Sequence, residues 1–251
     1  MSEADETRRL DVELVRRGLS PSRGQAREAI EAGKVRVDGV AATKPGQQVN
    51  GATRIEAEAL HPWVSRGGLK LEHALAVFGV DVAGQACLDI GSSTGGFTDV
   101  LLTRGARRVV AVDVGTGQLH PKLKADPRVV LLESTDARNL TAEMLVEPPA
   151  VLVCDASFIG LAKLLGRPLE LAAPDAVLVA LFKPQFEVGR DHIGKGGIVS
   201  DEAAKDVAAA ALTDWLRQVG WNVLRWADSP IAGGDGNRER LFVAARGEQR
   251  A

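Results

Sequence analysis

Two lysines and two carboxylates carry the residue types best suited to acid–base chemistry in this 251-residue chain: Lys70 in SRGGLKL, Asp155 in VLVCDASF, Lys183 in LVALFKPQF and Glu239 in GNRERLF. Asp155 and Lys183 each follow an apolar run of strand type, Lys70 opens a helix pattern, and Glu239 immediately precedes another strand-like run. Doubly wound sheets gather strand ends at one edge, so charged residues far apart in sequence converge there. A strand-end lysine taken alone is usually a solvated charge, and Glu239 alone reads as surface. The setting weighs against that: Lys183 lies between Phe182 and Pro184, and Asp155 closes VLVC. A glycine-rich turn at 89–97 (DIGSSTGGF) stands between a strand and a helix. There the backbone can approach a ligand closely, and a helix N-terminus offers unpaired N–H groups. The combination suggests an enzyme.

Three details of the turn favour S-adenosylmethionine over a nicotinamide dinucleotide. Asp89 opens it from within the strand, the spacing is GSSTGG instead of GxGxxG, and the next strand ends in Asp113. An acid at that second strand end accepts ribose hydroxyls in nucleotide-binding sheets. The candidate cofactor contacts are Asp89, Gly91, Ser92, Gly95, Gly96 and Phe97, with Asp113 on the ribose and Asp136 in TDAR toward the adenine amine.

The elements that must position these residues read as alternating helix and strand from Gly67 onward. Seven strand patterns with interleaved helices, closed by WNVLRWAD and RLFVAAR, make an α/β fold with a Rossmann-like class I methyltransferase sheet. The segment PQFEVGRDHIGKGGIVS reads as a long substrate-facing loop, with Phe186 a candidate for stacking on a flipped base. Residues 7–55 form a separate pattern: a helix in RLDVELVRRGL, a second helix capped by Ser20 or Ser22, and a hairpin in KVRVDGVAA with Asp-Gly at the turn. The expected organisation is a small domain over 1–60, a linker over 61–66 containing Trp63, and the large domain over 67–251.

The formal net charge is −2, yet residues 7–55 carry +5 and the remainder −7. A basic binding module attached to a neutral-to-acidic catalytic body fits that asymmetry. Cys87 and Cys154 sit inside apolar runs and read as small hydrophobes, and the four histidines lack ligand spacing, so no metal site is expected. The polar opening MSEADETRR does not read as a signal peptide, and charges interrupt every apolar stretch. A soluble cytoplasmic protein is expected, without membrane association or an obligate protein partner, and monomeric by default.

Two resemblances sharpen this reading. RLDVELVRRGLSPSRGQAREAIEAGKVRVDG resembles the S4 RNA-binding domain, which implies phosphate contacts from Arg8, Arg16, Arg23, Arg27 and Lys34. GSSTGGFTD, the Asp155 strand end, LFKPQFEVGR, GKGG and SPIAGGDGNRER resemble the hemolysin-A (TlyA) family of ribosomal RNA 2′-O-methyltransferases, in the FtsJ-like group, over essentially the whole chain. That resemblance implies Lys70, Asp155, Lys183 and Glu239 as a catalytic Lys-Asp-Lys-Glu tetrad. It also implies S-adenosylmethionine as cofactor, ribosomal RNA or ribosomal subunits as partner, and a cytidine as target. The linker reads His61-Pro62-Trp63-Val64, departing slightly from the RxWV form of some members.

The residue types suit the chemistry. A ribose 2′-hydroxyl is a poor nucleophile that must shed its proton as it attacks. Lys183 is the expected partner of the 2′-oxygen, as base or as a charge facing the developing alkoxide. Asp155 and Glu239 are expected to orient it, with Lys70 tuning the local field. An RNA-binding assembly factor without activity is the alternative, disfavoured because all four residues are present. A pore-forming toxin is disfavoured by the lack of an amphipathic or spanning segment.

Overall fold

The computed structural model describes residues 6–20 and 22–247. Residues 1–5, Pro21 and 248–251 lie outside the described residues. The chain divides into two compact units between Pro62 and Trp63, inside the segment expected to be a linker.

In the smaller unit, β1 (Arg8–Arg9) leads into α1 (Leu10–Arg16) and α2 (Arg23–Glu31). Ser22, not Ser20, caps α2 by accepting from the Gln25 N–H. Strands β2 (Val35–Val37) and β3 (Val40–Ala41) form the expected hairpin, and β4 (Gln48–Val49) and β5 (Ile55–Ala57) follow. Asp38 and Gly39 both have positive φ, as the tight Asp-Gly turn requires. β5 and β3 flank β2, while β4 pairs with β1. Leu10, Leu14, Ala26, Ile30, Val35 and Val49 form its core.

The larger unit begins with α3 (Gly67–Phe78), β6 (Ala86–Ile90), α4 (Gly96–Thr103), β7 (Arg108–Val112), α5 (Pro121–Lys124), β8 (Val129–Leu132) and α6 (Ala142–Leu145). It continues with β9 (Val151–Cys154), α7 (Leu161–Glu170), β10 (Val177–Phe182), α8 (Pro184–Glu187), α9 (Glu202–Gln218), β11 (Trp221–Asp228) and β12 (Arg240–Arg246). The seven strands make one sheet in the order β11-β12-β10-β9-β6-β7-β8. β12 runs antiparallel to both β10 and β11, and the other neighbours are parallel.

The strands are apolar on both faces because both are covered. Leu88, Val110, Leu152 and Leu178 point to the face packed by Leu165 of α7 and Leu212 of α9. Their sequence neighbours Cys87, Val109, Val151 and Val179 point to the face packed by Leu71 of α3 and Val100 of α4. That period of two builds a three-layer α/β/α sandwich. Both cysteines are free and buried, and burial pushes each thiol up to about 12, so they act as packing residues.

Chain direction reverses its order between β6 and β9. From β6 the chain steps outward to β7 and β8, then crosses back to β9 and β10. Ligand crevices open at such a switch point, beyond the strand C-terminal ends.

Candidate active site

The crevice at the switch point is a cavity of about 380 Å³, lined by Gly91 and Ser93 after β6, Asp113 and Gly115 after β7, Thr135 after β8, and Asp155 to Ile159 after β9. Gly91 makes it possible. Its φ is +80°, and a Cβ there would come within 2.9 Å of the Ala156 Cα, closing the gap between the two central strand ends. Asp113 braces the glycine turn, accepting from the Ser93 N–H at 2.8 Å and the Gly115 N–H at 2.7 Å. A carboxylate has lone pairs beyond those two, so Asp113 can also receive ribose hydroxyls.

Beneath the turn, Asp89 is fully buried and accepts from the Thr98 hydroxyl at 2.6 Å. Its Oδ1 and the buried Ser92 hydroxyl have no hydrogen-bond partner. Burial pushes the Asp89 carboxyl up to about 7, the Asp155 and Asp113 charges add to the rise, and the Thr98 bond opposes it. A cavity lined by Asp113 and Asp155, with a glycine cradle at its mouth, fits a cationic nucleoside such as S-adenosylmethionine.

Of the candidate cofactor residues, Gly91 and Asp113 line the cavity, whereas Asp89 and Ser92 lie buried beneath the turn and do not; the remaining four lie elsewhere too. A Cβ on Gly95 would strike Leu119 and Leu123, and one on Gly96 would strike Ser65 and the Gly68 backbone. The Phe97 ring is buried in the core between α3 and α4. These three residues set how closely α4 packs and do not line the cavity. Asp136 caps a 3-10 turn at Ala137–Asn139 and binds the Arg138 guanidinium, which holds its carboxyl below the usual range. Its neighbours Thr135 and Ala137, not Asp136 itself, face the cavity.

The four acid–base residues resolve into two ion pairs. Lys183 Nζ lies 2.6 Å from Asp155 Oδ1 and donates to the Ser157 hydroxyl at 2.9 Å. Lys70 Nζ lies 2.5 Å from Glu239 Oε2, in surroundings where both side chains are buried. Glu239 therefore partners Lys70, not Lys183 as expected. Local sequence explains each position. Pro184 restricts the residue before it to extended backbone and starts α8, so Lys183 leaves the sheet with φ −107° and ψ 105°. Phe182 pairs in register with Arg240, which puts Lys183 and Glu239 one step beyond the last rung of two adjacent strands. Behind them Trp226 contacts both Phe182 and Phe242, and the Arg240 guanidinium covers the Trp226 ring at 4.9 Å. Each aromatic contact of this kind adds roughly 0.5–1.5 kcal/mol beyond burial, and together they fix both strand ends.

Two residues escaped the sequence reading. Ser157 bonds Lys183, and Phe158 is 92 % exposed with φ +69° at the cavity rim. A left-handed phenylalanine is disfavoured by its own Cβ, and such strain collects where function requires it. The Phe158 ring centroid lies 5.5 Å from that of Phe186 on α8. Position within three residues of a strand-end acid was the only sequence signal for either residue. The segment 184–200 also proves to be structured. It holds α8 and two 3-10 turns, Glu187 on α8 accepts from the Leu161 N–H, and buried Asn237 bonds Val199 and Gly197.

In the smaller unit most candidate RNA contacts already carry acidic partners. Arg8 pairs with Glu6, Arg16 with Glu13, Arg23 with Asp11 and Lys34 with Glu58, while Arg27 stands exposed on α2. Among the described residues no cluster able to hold a metal ion occurs, and no helix is long and apolar enough to cross a membrane.

The FtsJ-like methyltransferase family model matches residues 63–246, and the S4 domain model matches residues 8–55. A Mycobacterium tuberculosis (strain H37Rv) protein bearing the name 16S/23S rRNA (cytidine-2'-O)-methyltransferase TlyA is 48% identical over 233 residues, covering 92% of this chain and 87% of that protein. Hemolysin A of Brachyspira hyodysenteriae is 39% identical over 234 residues, covering 93% and 98%. The solved structure of a putative hemolysin from Streptococcus thermophilus superposes with a TM-score of 0.77 at 39% identity, covering 96% of this chain and 89% of that one. Likeness of this extent in both sequence and fold means that the chain belongs to the FtsJ-like methyltransferases, in the TlyA/hemolysin-A branch that carries an S4 domain ahead of the catalytic one.

Proposed function

We propose that this protein transfers a methyl group from S-adenosylmethionine to the 2′-hydroxyl of a cytidine in ribosomal RNA, using Lys70, Asp155, Lys183 and Glu239. The observation that carries the reading is the Lys183 ammonium, held by Asp155 and Ser157 at the sheet edge where the glycine-turn cavity opens. Bound in the cavity, the cofactor supplies an electrophilic methyl on a sulfonium.

Gly91 and Ser93 leave room for it, and Asp113 offers acceptors to its ribose. Asp155 holds Lys183 Nζ by charge and Ser157 accepts one of its N–H groups, which leaves further N–H groups for the substrate. Directed at the 2′-oxygen, one such N–H would stabilise the negative charge that grows there as the O–CH3 bond forms, the S–CH3 bond breaks to leave a neutral thioether, and the hydroxyl proton passes to solvent water. Lys70 and Glu239 form a net-neutral buried pair beside the strand ends and hold the local geometry and field. Phe158 and Phe186 offer a stacking surface for the base of the target nucleotide. The smaller unit, through the lysines and arginines clustered over residues 7–55, grips the RNA at its phosphates. A ribosomal substrate makes the protein a cytoplasmic one.

The test is transfer of labelled methyl from S-adenosylmethionine to separated ribosomal subunits and to naked rRNA, followed by nucleoside identification. Wild-type protein yields 2′-O-methylcytidine. Lys183→Ala retains cofactor binding and loses about 10²–10⁴ in rate. Near-normal turnover by that variant refutes the assignment of Lys183.

A further inference from the structure

The smaller unit buries two carboxylates that a unit of its size has little reason to keep. Asp11 is 0% and Glu13 1% exposed, although both lie on α1 in a segment whose surface is otherwise basic. Burying a charge is costly, and apolar residues of similar size are often as stabilising or more so.

What each carboxylate touches is arginine. Asp11 takes the Arg9 fork through Nε at 2.9 Å and Nη2 at 3.1 Å, and its Oδ2 also accepts from Arg23 Nη2 at 3.1 Å, joining the start of α1 to the start of α2. Glu13 takes the Arg16 fork through Nε at 2.8 Å and Nη2 at 2.7 Å, and accepts from Arg17 Nε at 2.7 Å. Arg17 in turn donates to the carbonyls of Asn50 and Thr53 at 2.8 Å, which anchors Glu13 to the loop between β4 and β5. The Arg16 bonds hold the Glu13 carboxyl at about 2, so it stays charged throughout the neutral range. Arg9 and Arg23 nonetheless remain 48% and 60% exposed at the side chain.

We propose that Asp11 and Glu13 are positioning residues for RNA: from inside the unit they lock the forks of Arg9, Arg23 and Arg16, presenting a preformed row of guanidinium groups to the phosphate backbone. The inference rests on the reading of this unit as the RNA-gripping part. It adds Arg9 to the RNA-facing cations. A flexible arginine loses side-chain entropy when it captures a phosphate, whereas a fork fixed in advance has already lost it on folding. The acids therefore strengthen RNA binding although their charge repels RNA.

That sign makes the idea testable with the full-length chain and a large-subunit rRNA transcript, titrated at several salt concentrations. Asp11→Asn makes the unit more positive, so bulk electrostatics predicts tighter binding. Positioning predicts the reverse: affinity about tenfold weaker, with the salt slope reduced by about 1. In an Arg9→Ala/Arg23→Ala background Asp11→Asn has no further effect, because the groups it orients are gone. Unchanged or tighter binding by Asp11→Asn, or an undiminished loss in that background, overturns the proposal. Should Asp11→Asn not fold, Arg9→Lys/Arg23→Lys carries the test, since lysine keeps the charge and removes the fork. About tenfold weaker binding is again expected, and wild-type affinity overturns it. Failure of the wild-type chain to bind rRNA at all refutes the parent reading instead, and this inference with it.

Discussion

Replacing Glu239 by glutamine removes the carboxylate charge that faces Lys70 at 2.5 Å while preserving its shape. Lys70 and Glu239 expose only 9% and 3% of their side chains, so water cannot take the place of the lost carboxylate. Gly233 seals the far side, since a Cβ there would stand 2.5 Å from Glu239 Oε1. Breaking a buried pair by removing one partner costs about 3–5 kcal/mol, mostly the penalty of the charge left behind. For a unit of this size that lowers the midpoint of thermal unfolding by roughly 10 °C. Lys70→Met/Glu239→Gln removes both charges and recovers most of the loss, so the double-mutant cycle shows coupling of about 2 kcal/mol or more. Urea unfolding of the four proteins, followed by far-UV circular dichroism, measures it. Methyl transfer measured in parallel separates scaffold from chemistry, because the double variant regains stability and stays inactive. If Glu239→Gln unfolds within about 0.5 kcal/mol of wild type and the cycle is additive, the pair is solvated and the argument from burial is refuted.

Gly91→Ala forces a Cβ to within 2.9 Å of the Ala156 Cα at φ +80°. It should cost about 1–2 kcal/mol in stability from the backbone alone and weaken cofactor binding in calorimetry, whereas unaltered affinity would place the cofactor elsewhere. Phe158→Ala removes a ring that is 92 % exposed, so stability should stay within about 0.5 kcal/mol of wild type. Binding of the RNA substrate should weaken by about 1–3 kcal/mol, read as a raised KM for RNA; a normal KM would rule out stacking. Asp89 has a folded-state pKa raised to about 7, above its unfolded value, so the native state binds more protons between those two values. Stability should therefore fall as pH rises from about 4 to 7 and level off above, the opposite sense to Glu13, whose contribution disappears as pH falls from about 4.5 toward 2. Asp89→Asn should flatten the urea-derived stability between pH 5 and 7; a slope identical to wild type would show that Asp89 does not titrate there.

Periodicity made the elements of the larger unit legible. ACLDI, WNVLRWAD and RLFVAAR coincide with β6, β11 and β12, and the alanine-rich run at 202–218 coincides with α9, because each stretch keeps one period between clear breakers. It also brought Asp155, Lys183 and Glu239 to strand ends. Pairing was not legible. That Glu239 meets Lys70, 169 positions away, follows from α3 packing near β12, which no local pattern encodes. Glycines were visible but their reasons were not. Gly91 opens a ligand cavity, while Gly95 and Gly96 accommodate leucines and a backbone, and the sequence looks alike in both cases. Phe158 was missed because an exposed aromatic in a loop has no periodicity to depart from.

Charge balance explains why two such different units belong on one chain. The four acid–base residues sum to zero, and Asp113 on the cavity wall adds an acid, so the catalytic unit favours a cation in its cavity and offers little attraction to a polyanion. RNA brings one negative charge per nucleotide and binds chiefly through counterion release to clustered cations. Residues 7–55 of the smaller unit hold that cluster, ten lysines and arginines against five acids, while the acids at 1–6 and 56–58 bring the whole unit to a net charge of zero. Affinity for the cofactor and affinity for RNA thus demand opposite local charge, and a single surface cannot satisfy both. Separating them lets the active site keep its lysines neutralised by carboxylates, so that each ammonium is held by its partner instead of serving as a general anion trap. The basic cluster of the smaller unit then supplies RNA affinity without disturbing the pairs on which the chemistry depends.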